Sequence, residues 1–408
     1  MNNRQILYIS YDGMTDPLGQ SQVLPYIVGL SKSGFQFTLI SCEKKERFYQ
    51  NKEAIEQICS DSNIDWQPIF YTKKPPVLST IWDFFQMNKK SKILHQKKNF
   101  QLIHCRSYIS ALIGLRFKKK YGTKFIFDMR GFWADERVDG GLWKLNNPIY
   151  RIIYHFFKNK EKLFLSYSDC VVSLTQSGKK EMLTWGVKGL TEEKIIIIPC
   201  AADFKLFELN TQEKQKAAKK LLDINQNDFV LSYIGSIGTW YLLDEMLLFF
   251  SLLKKQKPTA KFLFLTPDSE NLILEAAKNY NLKKEDFIIQ FAQRKNIPQF
   301  VHASDYSIFF IKPSYSKKSS SPTKMGELLA MGIPIICNNN VGDVEEITLK
   351  TKAGFCVKEF SKQSFSEIIE KIKTNFFNPR DIRENSKEFY NLEEITAIYF
   401  SIYKKMTK

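Results

Sequence analysis

One alternation, run through twice, constrains the fold of this chain more than any other feature. Short, apolar, β-rich runs are separated by longer amphipathic stretches. The first series reads Ile6–Ile9, Phe37–Ser41, Ile64–Phe70, Leu102–Cys105, Phe125–Phe127, Cys170–Leu174 and Ile195–Ile198, with helical spacing in stretches such as Ser21–Lys32 and Ile109–Lys120. A strand that is apolar at consecutive positions has both faces covered, which predicts a parallel sheet between layers of helix. The pattern restarts with Phe229–Ile234, Phe262–Leu265, Phe287–Phe291, Tyr306–Ile311, Ile333–Cys337 and Gly354–Val357. A chain of 408 residues is too long for one ordinary core, so two doubly wound Rossmann-like units are expected. The boundaries implied are 1–199 and 200–384, followed by an aromatic-rich helical tail, 385–408, that packs back toward the first unit.

Composition removes several classes. With 44% hydrophobic and 25% charged residues the chain is globular rather than disordered. No apolar run approaches the ~20 residues that span a bilayer; the nearest, Ile149–Phe157, is broken by Arg151 and His155. The chain opens Met1-Asn2-Asn3-Arg4 and enters a strand without a signal-like apolar core, so a cytoplasmic location is expected. None of the seven Cys forms a CxxC pair, which favours buried thiols, and none of the four His is spaced like a zinc ligand. A formal charge of +17 fits an anionic partner (a nucleotide diphosphate, an acidic membrane surface or nucleic acid) or simply a Lys-rich composition.

Ligands of open α/β sheets bind beyond the carboxyl ends of the strands, and three loops there are unusual. In Ser10–Ser21, Gly13 and Gly19 allow close backbone approach, and a helix starting near Ser21 offers N–H groups to an anion; an ordinary strand-to-helix turn reads the same way. Asp128–Trp143 mixes Arg130, Trp133, Asp135 and Glu136 with glycines, which suits sugar hydroxyls and apolar sugar faces as well as local salt bridges. In Ser319–Pro334, Ser321 stands as N-cap and Pro322 at the first helical position. The helix start with Thr323 and Lys324 forms a diphosphate cradle, and Glu327, a turn later, accepts from ribose hydroxyls; a plain capped helix fits too. GxGxxG, GxxxxGK[ST], GxSxG and DxD motifs are all missing from the sequence.

In order and spacing, these loops resemble the family 4 glycosyltransferases, most of all bacterial members that build surface polysaccharides. The resemblance is carried by ILYISYDGMTDPLGQSQVLPYI from Ile6, IIPCAADFKLF from Ile197, Tyr233–Met246 and SSPTKMGELLAMGIPIICNNNVGD from Ser320. It implies the GT-B fold, two Rossmann-like domains facing each other across a cleft. It also implies retention of anomeric configuration without a metal and no cofactor beyond the nucleotide sugar, with UDP favoured over GDP. Catalysis would then be positioning plus charge stabilisation of the leaving diphosphate. Carried onto this chain, Lys324, Arg130 and Asp128 are the catalytic candidates. Gly19, Gly235, Ser236, Arg294, Ser321, Thr323 and Glu327 would bind the donor, and Asp12, Gly13, Trp133, Asp135 and Glu136 the acceptor.

The chain departs from the family pattern in three places. Ser319 stands eight residues before Glu327, where a first Glu is usual. Ser236 and Tyr241 occupy the places of the usual Arg and Lys, leaving the positive charge to Lys324 or Arg294. Arg130 stands at a usual His and, with a pKa above ~12, is no general base.

Lys89, Lys90, Lys92, Lys97, Lys98, Arg116, Lys118–Lys120 and Lys124, near Trp82, Phe84, Phe85 and Phe100, predict peripheral binding to the anionic inner face of the cell membrane and a lipid-linked glycan acceptor; a solvated Lys-rich face is the plainer reading. The competing functions are a GT-B-like epimerase and a non-catalytic nucleotide-sugar-binding subunit. A nucleic-acid binder is disfavoured, since no recognition helix, RNA-binding motif or zinc signature occurs.

Overall fold

The computed structural model describes residues 4–407; the opening Met1–Asn3 lies outside the described residues. The chain forms two compact units, one of residues up to Pro199 together with the segment from Leu392, the other Cys200–Asn391.

The first unit carries β1 (Gln5–Ser10), β2 (Gln36–Glu43), β3 (Asp65–Phe70), β4 (Leu102–Arg106), β5 (Lys124–Asp128), β6 (Cys170–Ser173) and β7 (Ile195–Ile197). All pair in parallel in the order β3-β2-β1-β4-β5-β6-β7. Its helices are α1 (Pro17–Gln22), α2 (Leu24–Ser31), α3 (Lys45–Asp61), α4 (Leu78–Lys98), α5 (Ser107–Tyr121), α6 (Trp133–Asp139), α7 (Pro148–Tyr167) and α8 (Gln176–Thr184). The second unit carries β8 (Val230–Ile234), β9 (Lys261–Leu265), β10 (Phe287–Gln290), β11 (Tyr306–Ile308), β12 (Ile335–Asn338) and β13 (Gly354–Val357), parallel in the order β10-β9-β8-β11-β12-β13. Its helices are α9 (Gln212–Leu221), α10 (Leu243–Gln256), α11 (Glu270–Lys278), α12 (Ile297–Val301), α13 (Thr323–Ala330), α14 (Val344–Lys350), α15 (Lys362–Thr374) and α16 (Pro379–Tyr390); α17 (Leu392–Met406) returns to the first unit.

Both central strands are buried along almost their whole length, as their unbroken apolar sequences require. The strand order reverses direction between β1 and β4 and again between β8 and β11. In each sheet that reversal opens a crevice beyond the carboxyl ends.

Three sequence expectations are corrected here. The helix expected to start near Ser21 begins at Pro17, breaks at Val23 and resumes at Leu24. Pro25 causes the break, because it cannot donate to the preceding turn and disfavours helix just before it. The tail from 385 is not one element. Helix α16 stays with the second unit, where Arg383 donates to the carbonyls of Phe204, Phe207 and Ala330, and only α17 joins the first unit, the Tyr403 hydroxyl lying 2.6 Å from Nδ1 of His104. Of the aromatics expected near a membrane, Trp82 and Phe85 are exposed, but Phe84 and Phe100 are buried in the core of the first unit.

Candidate functional site

In the second unit, chemistry gathers where β8 ends and α13 begins. Gly235 follows β8 with φ +101°, and a Cβ there would lie 3.6 Å from the Lys324 Nζ. Lys324 sits in the first turn of α13, buried, its Nζ 3.9 Å from the centre of the Tyr233 ring and 3.6 Å from that of Tyr241. The amine has no hydrogen-bond acceptor. Burial holds its proton affinity well below that of an ordinary lysine, and the opposing pull of Glu327 does not restore it. A buried, caged cation with unused donors at a helix N-terminus is arranged to meet an anion.

Glu327, one turn along α13, is committed to Arg294, whose guanidinium also lies 5.2 Å from the centre of the Phe207 ring. The residues expected to accept from ribose and to supply the alternative positive charge are therefore paired with each other. Ser236 does not stand free either: its Oγ donates to both carboxylate oxygens of Asp268, at 3.1 and 3.0 Å. The Ile237 N–H and the Thr266 hydroxyl donate to the same carboxylate. Asp268, just past β9, thus fixes the loop after β8. The sequence reading missed it; the turn-forming run Thr266-Pro267-Asp268 after an apolar strand is the signal that marks it.

Ser321 is not the N-cap. Its Oγ accepts from the Cys200 N–H at 3.2 Å, and Pro322 occupies the cap without a side-chain bond. Thr323 is half-buried in the first turn. Ser319, at the place of the usual Glu, is buried and donates to the Ser316 carbonyl at 3.0 Å.

In the first unit, the loop after β1 is tied to Glu43. This buried carboxylate accepts from the Met14 and Thr15 N–H groups, at 2.7 and 3.1 Å, and from the hydroxyls of Thr15 and Ser41. The Met14 and Thr15 amides of the loop are thus taken up within the first unit. Gly13 is required because a Cβ would lie 2.6 Å from Glu43 Oε2. Gly19 is required because a Cβ would lie 2.1 Å from the Gly13 carbonyl oxygen. Gly19 is thus a contact between α1 and its own loop, in the first unit.

Beside that loop, Asp12 accepts from Arg106 Nε at 3.2 Å. Asp128, fully buried at the end of β5, lies 3.6 Å from His104 Nε2, 3.7 Å from Arg106 Nη1 and 3.9 Å from Arg130 Nη1. Burial alone would raise its carboxyl, but Arg130, His104 and Arg106 together hold it below the usual range. Arg130 adopts φ +55°, a strained backbone for a residue with a side chain. His104 and Arg106 went unnoticed in the sequence because they sit inside the apolar strand Leu102–Arg106. A polar residue inside such a run is the signal they offered.

Two acceptor candidates turn inward. Asp135 accepts from the Tyr154 hydroxyl at 2.8 Å and from Lys158 at 2.9 Å, anchoring α6 to α7. The Trp133 ring packs among Tyr108, Trp143 and Phe157, with centroids 4.9–5.6 Å away. Glu136 remains half-exposed on α6.

Residues 214–389 match the family model described as glycosyl transferases group 1, and residues 22–206 match that of glycosyltransferase family 4. No curated protein matches the sequence significantly. Among solved structures, sucrose-phosphate synthase from Thermosynechococcus elongatus aligns with TM-score 0.71 and 14% identity over 99% of both chains. A glycosyltransferase from Rickettsia africae gives 0.70 and 17% over 100% of both. Anabaena HepE in complex with UDP-glucose gives 0.69 and 12% over 98% of this chain and 99% of that one.

Proposed function

We propose that the chain, a glycosyltransferase with the GT-B fold, belongs to family 4 and moves a sugar from a UDP-sugar onto a lipid-linked glycan, with retention and without a metal, at the inner face of the membrane during surface-polysaccharide synthesis. The observation that carries the donor half is Lys324: a buried amine without an acceptor, beside Gly235 and at the start of α13. A diphosphate placed there supplies the missing acceptors. A similar fold carrying UDP-glucose supports uridine as the base.

In this reading Lys324 and the first turn of α13 stabilise charge as the bond between the anomeric carbon and the diphosphate breaks. An acceptor hydroxyl attacks the same carbon from the face the diphosphate leaves. Its proton passes to the departing diphosphate oxygen, so a glycosidic bond forms and UDP is released. Glu327, released from Arg294, accepts from the ribose hydroxyls, and Arg294 turns toward the diphosphate. Asp268 holds Ser236 and Ile237, next to Gly235, in place beneath it. In the first unit, Asp12, still partly exposed, and Arg130 meet the acceptor, with Asp128 and Arg106 fixing their positions.

A thermal-shift screen with UDP, GDP, ADP, CMP and their sugar conjugates tests this, because a ligand of the folded state raises Tm by mass action. A shift with UDP compounds is expected, followed by mass-spectrometric detection of a glycosylated lipid-linked acceptor. A shift with GDP compounds alone replaces the donor. UDP-sugar binding without product under any acceptor removes the transfer.

A further inference from the structure

Three helices of the first unit share one side of its sheet. The connections that α4, α5 and α7 make all run the same way across the strand order, which places right-handed crossovers on a single face. Side-chain contacts agree: the Arg116 guanidinium of α5 lies 4.7 Å from the centre of the Phe84 ring of α4, and the Lys119 amine lies 4.4 Å from that of Tyr167 in α7.

The charge on this face is one-sided. Helices α4, α5 and α7 carry five, four and four Lys or Arg residues. Their only carboxylates are Asp83 and Glu161, and both are buried. Some of the cations are spent: Lys98 pairs with Asp65, Lys118 with Asp169, and Lys158 with Asp135 and Glu161. Lys89, Lys92, Lys97, Lys119, Lys120 and Lys162 remain exposed, with no carboxylate of these helices beside them.

The same face also exposes apolar side chains in order. On α4, Leu78, Ile81, Trp82 and Phe85 follow the i, i+3, i+4, i+7 spacing of a single stripe, with Trp82 59% exposed. On α7, Ile149, Ile152 and Phe156 do the same, with Ile152 69% exposed. Both stripes begin in the first turns; on α4 the lysines follow from Lys89 to Lys98, and on α7 Arg151 sits within the stripe while Lys158, Lys160 and Lys162 follow in the middle of the helix. Crossover helices run opposite to their parallel strands, so the apolar ends lie at the carboxyl edge of the sheet, the edge that bears Asp12 and Asp128.

We propose that α4, α5 and α7 form a docking face for an anionic lipid bilayer, in which the N-terminal turns of α4 and α7 sink among the headgroups while the basic residues that follow along the three helices bind them. Charge complementarity identifies the partner. A row of unpaired cations beside apolar residues of this size suits a surface that is anionic outside and apolar just beneath. A nucleic acid or an acidic protein would use the cations and leave Trp82 and Ile152 without purpose. The sequence had suggested the basic cluster; α7 and the ordering of apolar tip and basic flank come from the structure. Docking does not depend on the donor site, but on the proposed function it would bring the acceptor loops to the depth of a lipid-linked glycan.

Flotation of the full chain with vesicles tests this without reading any transfer, so its failure and a failure of the proposed function are distinguishable. Vesicles of phosphatidylcholine mixed with phosphatidylglycerol should carry the protein, and phosphatidylcholine alone should carry far less. Trp82→Ala/Phe85→Ala and Ile149→Ala/Ile152→Ala should each weaken binding about tenfold or more, since the insertion is lost. Leu272→Ala/Leu349→Ala, exposed in the second unit, should bind as the parent does. Quenching by brominated lipid should fall in Trp82→Phe, which checks insertion with minimal change to the fold. Absence of binding to the mixed vesicles overturns the proposal. So does binding that both apolar variants retain and heparin competes away, an outcome that reassigns the face to a soluble polyanion.

Discussion

The side-chain amine of Lys324 lies 3.6 Å from the centre of the Tyr241 ring, with no acceptor for its hydrogen bonds. Two aromatic faces and the Glu327 carboxylate offset part of the cost of a buried ammonium, and no hydrogen bond offsets the rest. Burial depresses its proton affinity and Glu327 opposes this, while Tyr233 and Tyr241, themselves pushed up by burial, stay neutral. The unfolded chain therefore binds this proton more readily than the folded one. Stability should rise with pH from the depressed value toward 10.5, where the unfolded lysine also loses its proton. Thermal unfolding between neutral and alkaline pH should show that rise in the parent and a flatter profile in Lys324→Met.

Arg294 and Glu327 form one unit, so their substitutions should not add. Glu327→Ala should weaken UDP binding about tenfold, through lost ribose contacts. Arg294→Ala leaves the buried Glu327 without its partner. A double-mutant cycle on UDP affinity should give a coupling of about 1 kcal/mol or more. Strict additivity would mean the pair seen here does not persist in solution.

Asp268 gathers three donors from Ser236, Ile237 and Thr266. Asp268→Ala should release the loop after β8 and raise the KM for the donor about tenfold, with the melting temperature changing little. Asp268→Asn keeps an acceptor oxygen and should recover part of the loss. Equal KM values for Ala, Asn and parent would remove Asp268 from the donor site.

Asp128 answers for two buried guanidinium groups. Asp128→Asn removes the buried carboxylate that faces both, leaving Arg106 with Asp12, and should cost about 3 kcal/mol of stability at neutral pH. Its carboxyl titrates below 3.8, so its contribution is complete above that value and is lost as pH falls through the folded-state value. Urea unfolding of both proteins should show the gap at neutral pH and its narrowing in acid.

Most strands were legible because covered parallel strands write themselves as apolar runs, and each predicted run is a strand in the structure, including the half-buried edge strand β3, which Asp65 and Gln67 interrupt. Helix limits were less so. Pro25 splits what reads as one helix, and Asn391 separates α16 from α17 inside a continuous helical pattern. Within the loops, sequence reading found Lys324, Glu327 and Asp128 from their places after strands. It named Arg294 without pairing it to Glu327, and it missed the side chains that brace the loops of the first unit. Glu43, His104 and Arg106 reach the loops from neighbouring strands, a proximity set by sheet order rather than by spacing along the chain. The same blindness made Asp135 and Trp133 look available when α7 holds both.

Calorimetric titration of UDP into the parent and Lys324→Met tests the central claim most directly. Hydrogen bonds from a charged donor to an anion are worth about 1.5–3 kcal/mol, so the substitution should weaken binding about tenfold to a hundredfold, with uridine, which has no phosphate, unaffected. Tight UDP binding that Lys324→Met leaves unchanged would contradict the placement of the diphosphate, and no UDP binding by the parent would contradict the donor assignment itself.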